Sequence, residues 1–224
     1  LAGYGGHDDV PREVFEQAME PRHVAISLDG EPTLYPYLPE LIDEFHDRGI
    51  TTFLVSNGTN PEMLDRCEPT QLYVSVDAPD RRTFEETVKP VEDDLWERLV
   101  ETLDVLAEKD DTRTVIRTTL VGGENDHHPA WYAAMADRAD ADFFELKAYM
   151  HVGHSRDRVD RSSMLDHDDV VAFAEAVQQY LPDHDVLKDV PESHVAVLAT
   201  DSDTWVPKLQ KDSEFWADDP LVEY

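Results

Sequence analysis

The sequence predicts an α/β fold, a parallel sheet curled into a partial, open barrel of the (β/α)6 type. Short runs rich in β-branched and aromatic residues alternate with amphipathic stretches at helical spacing, joined by short links. Each strand-like run ends in small, polar or charged residues, and in α/β folds ligands bind just beyond such ends. No GxGxxG and no P-loop follows a strand, which sets aside a dinucleotide-binding sheet. The pattern yields about five or six βα units, short of the eight of a complete barrel. All strands are expected parallel, with right-handed crossovers.

The elements follow in order. Leu1–Asp9 is Gly-rich and expected to be poorly ordered; Pro11–Met19 predicts a short helix. The central stretch is His23–Thr33, HVAISLDGEPT: a strand over Val24–Leu28 that breaks into a turn. Gly30 permits a tight turn, and Pro32 fixes φ and biases Glu31 toward an extended shape. Pro36–Arg48 places Leu38, Leu41, Ile42 and Phe45 on one helical face, and Gly49 ends it. Thr51–Val55 is a strand ending in Ser56-Asn57-Gly58-Thr59, and Pro61–Cys67 a short helix capped by Asn60. Gln71–Val76 is the third strand, and Val91–Glu108 a long helix. Arg113–Val121 is the fourth strand, Ala130–Ala139 a helix and Asp142–Lys147 the fifth strand. A loop with three arginines leads to the helix Asp166–Leu181. Asp185–Lys188 and His194–Ala199 make either a sixth barrel strand or a terminal hairpin. Residues 1–199 form the barrel domain. Residues 200–224 are expected to form a loose polar tail, with Trp205 and Trp216 docked back on the barrel domain.

Composition narrows the function classes. Fifty acidic residues stand against nineteen basic ones, a net charge of −31, yet 41% of the chain is hydrophobic. That is enough for a core, so this is no disordered acidic tail. Acidity spread over a patterned chain with six lysines is expected of a high-salt cytoplasm, where the Debye length falls to about 3 Å at 1 M. The charge argues against generic nucleic-acid binding. One cysteine, Cys67, excludes an internal disulfide framework and any multi-thiolate metal site within these residues. No apolar run reaches the length of a membrane span.

The strand ends converge on one rim of hydroxyls, amides, carboxylates and a lysine, as a polar ligand site requires. Taken in order, ISLDGEPTLYP, TFLVSNGT, QLYVSVDAP, RTVIRTTLVGGEN and FFELKAYMHVGHSR resemble the radical S-adenosylmethionine (radical SAM) barrel. They look most like the 4-demethylwyosine synthase family, which acts on tRNA. The likeness runs from about Glu13 to Leu198. It implies a 4Fe-4S cluster held by a CxxxCxxC loop, and S-adenosylmethionine as the source of a 5′-deoxyadenosyl radical. It also implies N1-methylguanosine-37 of tRNA-Phe and pyruvate as substrates of a lyase, and a second 4Fe-4S cluster. A flavodoxin or ferredoxin donor and a cytoplasmic monomer are expected with it. The sequence departs from the family in having no CxxxCxxC. Its first strand then corresponds to the family's second, and the expectation is an N-terminally truncated chain that by itself binds no cluster and makes no radical.

The resemblance places Gly30, Glu31 and Pro32 at the amino group of S-adenosylmethionine, a carboxylate receiving an ammonium. Ser56, Asn57 and Thr59 are candidates for its methionine carboxylate or ribose, with a plain turn as the alternative. Ser75 and Asp77 stand where ribose hydroxyls are met. Alternation puts Arg117 and Thr119 on one face of the fourth strand and Glu145 and Lys147 on one face of the fifth. These four are cofactor or substrate contacts, or an ion pair serving the fold. Lys147, with Glu145, is the catalytic candidate, as an amine nucleophile. Arg156, Arg158 and Arg161 suit phosphates, and Tyr149, His151 and His154 suit base stacking; the alternative is salt bridges to nearby acids. His127-His128 with Asp126 makes a poor metal site. Cys67 is expected to be a plain thiol, and Trp96 and Trp131 core residues. Two other readings stay open: a Schiff-base aldolase-type lyase on Lys147, and a non-catalytic RNA-binding remnant.

Overall fold

Alternation along the strands sorts the chain into two faces. In β2 (Thr51–Ser56) the side chains of Thr52, Leu54 and Ser56 are buried and those of Thr51, Phe53 and Val55 half-buried. β4 (Arg113–Leu120) and β5 (Phe143–Ala148) repeat the pattern at their C-terminal halves. The fully buried set makes the core with the helices, led by Leu54, Leu72, Ile116, Phe144, Leu146 and Leu198. The half-buried set lines the opposite, concave face. A small second cluster of Val115, Phe143 and Ala199, with Tyr73 and Val197, forms its floor.

The computed structural model describes residues 11–27 and 29–199. The expectations for the glycine-rich start, Leu28 and the tail with Trp205 and Trp216 lie outside them. Seven strands form one sheet in the order β1-β2-β3-β4-β5-β7-β6. β1 (His23–Ile26), β2, β3 (Gln71–Ser75), β4 and β5 run parallel. With β1 on one edge and β6 (Asp185–Val190) on the other, the barrel stays open.

The helices are α1 (Arg12–Met19), α2 (Leu38–His46), α3 (Pro61–Asp65), α4 (Arg81–Thr87), α5 (Leu95–Ala107), α6 (Pro129–Arg138) and α7 (His167–Gln178). The expectation of a wholly parallel sheet is corrected, and of the two readings of the last strands the terminal hairpin is the one found. β7 (Val195–Ala199) pairs antiparallel with both β5 and β6, so the sheet ends in a hairpin and is not wholly parallel. The turn is tight enough to reverse the chain, through Pro191–Ser193 and left-handed His194 (φ +50°), leaving no room for a crossover helix. The sequence reading also passed over α4, whose start is set by the Asp80 carboxylate accepting from the Thr83 amide. Among the described residues no helix is long and apolar enough to cross a membrane.

Candidate active site

The GEPT turn and the SNGT turn are one structure. Glu31 Oε1 accepts from the Ser56 hydroxyl at 2.8 Å, the Thr33 hydroxyl at 2.8 Å and the Thr33 amide at 3.2 Å. Its Oε2 accepts from the Asn57 backbone amide at 2.8 Å. The Asn57 side chain in turn accepts from both the amide and the hydroxyl of Thr59. Ser56 thus holds Glu31 directly, and Thr59 orders the Asn57 side chain beside it; both hydroxyls donate within the turn and keep only acceptor capacity. Gly30, at φ +78° with open space around it, lets the chain turn there. Pro32 begins a single 3-10 turn, Pro32–Leu34. Oε2, with one donor, keeps acceptor capacity toward the solvent side.

The register aligns inward side chains in rows across the concave face. Ser75 sits opposite Arg117, Arg117 opposite Glu145, and Thr119 opposite Lys147. Arg117 and Glu145 form an ion pair, Nε to Oε1 at 2.7 Å, and the guanidinium lies 4.4 Å above the Tyr73 ring. Burial, with the Glu145 charge, pushes the Tyr73 hydroxyl above its usual range. Glu145 is thus paired with Arg117, which is the ion-pair alternative for these residues. Lys147 is half-buried, and its ammonium makes no hydrogen bond or ion pair among the described residues.

Asp77, just past β3, is the ionisable carboxyl of this mouth. Its Oδ1 accepts from the Thr119 amide at 2.7 Å. Burial pushes its pKa up from 3.8 to about 6, against the pull of the Thr119 amide and of the nearby Lys147 and Arg117 charges. A residue the sequence reading did not single out fixes this arrangement. The buried Asn125 donates to the Asp77 and Thr119 carbonyls at 2.8 and 2.9 Å, while its side-chain oxygen accepts from the Val121 amide. The signal was present in LVGGEN, where one amide can tie two strand ends together.

Beyond β5 the chain folds over Tyr149. This residue is 6% exposed, and its hydroxyl donates to the Val159 carbonyl at 3.1 Å and meets His151 Nδ1 at 2.7 Å. Tyr149 is a strut, and its buried ring offers no face to a base. Around it Arg156, Arg158 and Arg161 are exposed. His154 is exposed and 3.9 Å from Asp157, and His151 is half-buried. Arg12, Arg81, Arg82, Arg98 and Arg138 each hold an acidic side chain, whereas none of the three loop arginines does among the described residues. The Ser163 carbonyl accepts from the Gly122 amide at 2.8 Å, which joins this loop to the loop after β4.

Cys67 is fully buried ahead of β3, at the end of the sheet away from the mouth, and burial pushes its thiol up to about 11. No group of three His, Cys, Asp or Glu among the described residues could hold a metal ion. Trp96 is half-buried against Phe84, as expected of a core residue. Trp131 is 49% exposed, contrary to expectation.

Comparison with known proteins finds relatives over most of the chain. A family model described as "Radical SAM superfamily" matches residues 4–135, and one described as "Wyosine base formation" matches residues 138–200. A Pyrococcus abyssi protein named S-adenosyl-L-methionine-dependent tRNA 4-demethylwyosine synthase is 46% identical, covering 90% of this chain and 60% of its own. A Methanocaldococcus jannaschii protein of the same name is 44% identical, covering 93% of this chain and 66% of its own. The chain thus spans about 60% of the length of the Pyrococcus relative. A solved structure of TYW1 with a lysine–pyruvate adduct bound superposes with a TM-score of 0.81 at 44% identity, covering 88% of this chain and 63% of that one. With the family model matching more than half of its residues, and with five parallel strand ends meeting at one polar mouth, the chain belongs to the radical SAM superfamily.

Proposed function

We propose that this chain provides the cofactor-binding rim and the RNA-facing loop of a tRNA 4-demethylwyosine synthase. Its substrates would be N1-methylguanosine-37 of tRNA-Phe and pyruvate. One observation carries the reading. In a chain of net charge −31, Arg156, Arg158 and Arg161 have no acidic side-chain partner among the described residues, and they lie at the same end of the sheet as Glu31 and Asp77. Guanidinium groups not consumed by neighbours are available for phosphates, and such contacts position a nucleic acid without reading its sequence.

The residues present fit S-adenosylmethionine, the source of a 5′-deoxyadenosyl radical in this superfamily. Glu31 Oε2, turned out of the Ser56–Thr33 network, accepts the cofactor's ammonium. Asp77 accepts from its ribose hydroxyls, with Ser75 on the same inward face. Arg117, tied to Glu145 and stacked on Tyr73, holds a fixed positive charge behind them, and Thr119 fixes Asp77. Lys147 brings an unpaired ammonium to the row above, suited to the carboxylate of pyruvate. The residues do not fit a 4Fe-4S cluster: the chain's one thiol, Cys67, is buried at the far end of the sheet. The same reading carries a flavodoxin- or ferredoxin-type electron donor and a monomer acting in the cytoplasm.

The test is exchange. This chain replaces the matching segment of the Pyrococcus abyssi synthase, and tRNA-Phe carrying N1-methylguanosine-37 is digested and read by mass spectrometry. Formation of 4-demethylwyosine supports the proposal. A hybrid that binds S-adenosylmethionine yet forms no product overturns it.

A second reading rests on Lys147 itself. Its ammonium has no partner among the described residues, and beside it stands a carboxyl that titrates near 6 and so both gives and takes protons close to neutrality. That is the equipment of a Schiff-base lysine. Borohydride reduction with labelled pyruvate marks Lys147 on this reading and leaves it unmarked on the first.

A further inference from the structure

The loop after β4 presents a feature that the cofactor site does not use. His128 caps α6 in the left-handed region, at φ 54° and ψ 54°. For a residue other than glycine that conformation costs about 1 kcal/mol, and such outliers persist where the surroundings fix them. Here it lays the imidazole flat on Trp131, with ring centroids 4.3 Å apart and planes within 21°. His127 abuts the same imidazole edge-on at 4.6 Å, and its Nε2 lies 3.1 Å from the Glu124 carbonyl, which holds the group against the loop. Both His128 and Trp131 face solvent, and Trp131, the bulkiest apolar side chain type, stays 49% exposed. What sets Trp131 apart from the other exposed apolar side chains is the imidazole stacked on its ring, which leaves a flat aromatic pair at the surface.

Position says what covers it. Gly122, at the start of this loop, donates to the Ser163 carbonyl at 2.8 Å, and a Cβ at Gly122 would meet Leu165 at 2.9 Å. The loop that carries the ledge is therefore packed on the loop that carries the arginines, at the end of the sheet where the mouth opens. Around the ledge, Glu124 and Asp126 are acidic, and Asp126 accepts from the Gly123 amide. They repel phosphate. A ring face beside carboxylates admits the uncharged plane of a base and leaves the backbone to the arginines.

We propose that His128 and Trp131 form a stacking ledge for one unpaired RNA base next to the arginine loop. The ledge rests on the reading of the substrate as tRNA, and it adds a contact that discriminates looped from paired RNA. Aromatic stacking suits any base and needs it unpaired, as in an anticodon loop. In a strongly acidic protein it also supplies affinity that salt does not erode, unlike phosphate contacts.

The test is titration of the 224-residue chain with an anticodon stem-loop and with a fully paired hairpin of equal length, across a salt series. The surface variants Trp131→Ala and His128→Ala are compared with Arg158→Ala, each first checked by circular dichroism. Trp131→Ala is expected to weaken stem-loop binding roughly tenfold and leave the salt slope unchanged. Arg158→Ala should lower that slope by somewhat less than one. Trp131→Phe should restore most of the affinity lost in the alanine variant. Three results overturn the ledge: stem-loop binding unaltered in Trp131→Ala while Arg158→Ala weakens it, equal losses for the paired hairpin, or a changed salt slope. In all three the tRNA reading survives. Failure of the unmodified chain to bind either RNA removes that reading and the ledge with it.

Discussion

The carboxylate of Glu31 and the hydroxyl of Ser56 meet at 2.8 Å across the ends of β1 and β2, twenty-five residues apart in sequence. The two turns flanking the mouth are therefore locked to each other before any ligand arrives. The Asn57 amide on the other carboxylate oxygen makes the clamp two-sided.

Replacing Glu31 tests the clamp and the site separately. Glu31→Ala strands the Ser56 hydroxyl and the Asn57 amide and is expected to cost about 2 kcal/mol in urea denaturation. Glu31→Gln keeps an acceptor for Ser56 and is expected to cost about 1 kcal/mol, while S-adenosylmethionine affinity by calorimetric titration falls at least tenfold, because the charge on the acceptor is gone. Unchanged affinity in Glu31→Gln would remove it from the ammonium site.

Asp77 should make stability depend on pH in a defined sense. Its folded pKa, about 6, is raised above 3.8, so the fold favours the protonated acid. That contribution is complete below about pH 4 and lost as the pH rises through about 6. Asp77→Asn, which keeps an oxygen for the Thr119 amide, is therefore expected to be more stable than the parent by about 2 kcal/mol at pH 7 and to match it near pH 4. Parallel melting curves across that range would refute the assignment.

The Arg117–Glu145 pair is only partly exposed, at 26% and 16% of its side chains. Arg117→Met leaves a carboxylate in the concave face without its counter-charge and is expected to cost about 2 kcal/mol. Joining it to Glu145→Met should recover most of that loss. A double-mutant cycle in urea reads the coupling, and an additive result would mean the two groups act independently.

Gly58 is held by space as well as by dihedral. At φ +71°, an added Cβ would lie 2.7 Å from Leu99 and 2.8 Å from Val74, both on the core side of the sheet. Gly58→Ala is expected to lower stability by about 2 to 3 kcal/mol and to loosen the Ser56–Glu31 clamp next to it. The denaturation midpoint checks the first effect, and hydrogen exchange at the Asn57 amide the second.

Much of this was legible in the residues. The strands β1 to β5 were marked by β-branched runs, and α2, α5 and α7 by helical spacing of their leucines, valines and alanines. The inward pairs Arg117/Thr119 and Glu145/Lys147 followed from period-two alternation, which the backbone of any strand imposes. The α4 helix was missed because its apolar face is little more than Phe84, while its start depends on a single Asp80 cap. The exposure of Trp131 does not follow from its place on α6, and only the tertiary structure shows the ring stacked on His128 at the surface. Tyr149 was read as a stacking ring because its sequence neighbours are polar, and only the loop folded over it shows it buried.

The sequence by itself determined the local elements, the polar ends of the strands and the scarcity of thiols, since these depend on residue type and near-neighbour spacing. The tertiary structure alone decided which groups remain available. It committed Glu145 to Arg117, the Ser56 hydroxyl to Glu31 and Asn125 to the Asp77 and Thr119 carbonyls, and among the described residues it left Lys147 and the loop arginines without a salt bridge to an acidic side chain. Those outcomes turn on distances of about 3 Å between residues tens of positions apart. Strand register and loop packing set such distances, and the order of residue types along the chain does not.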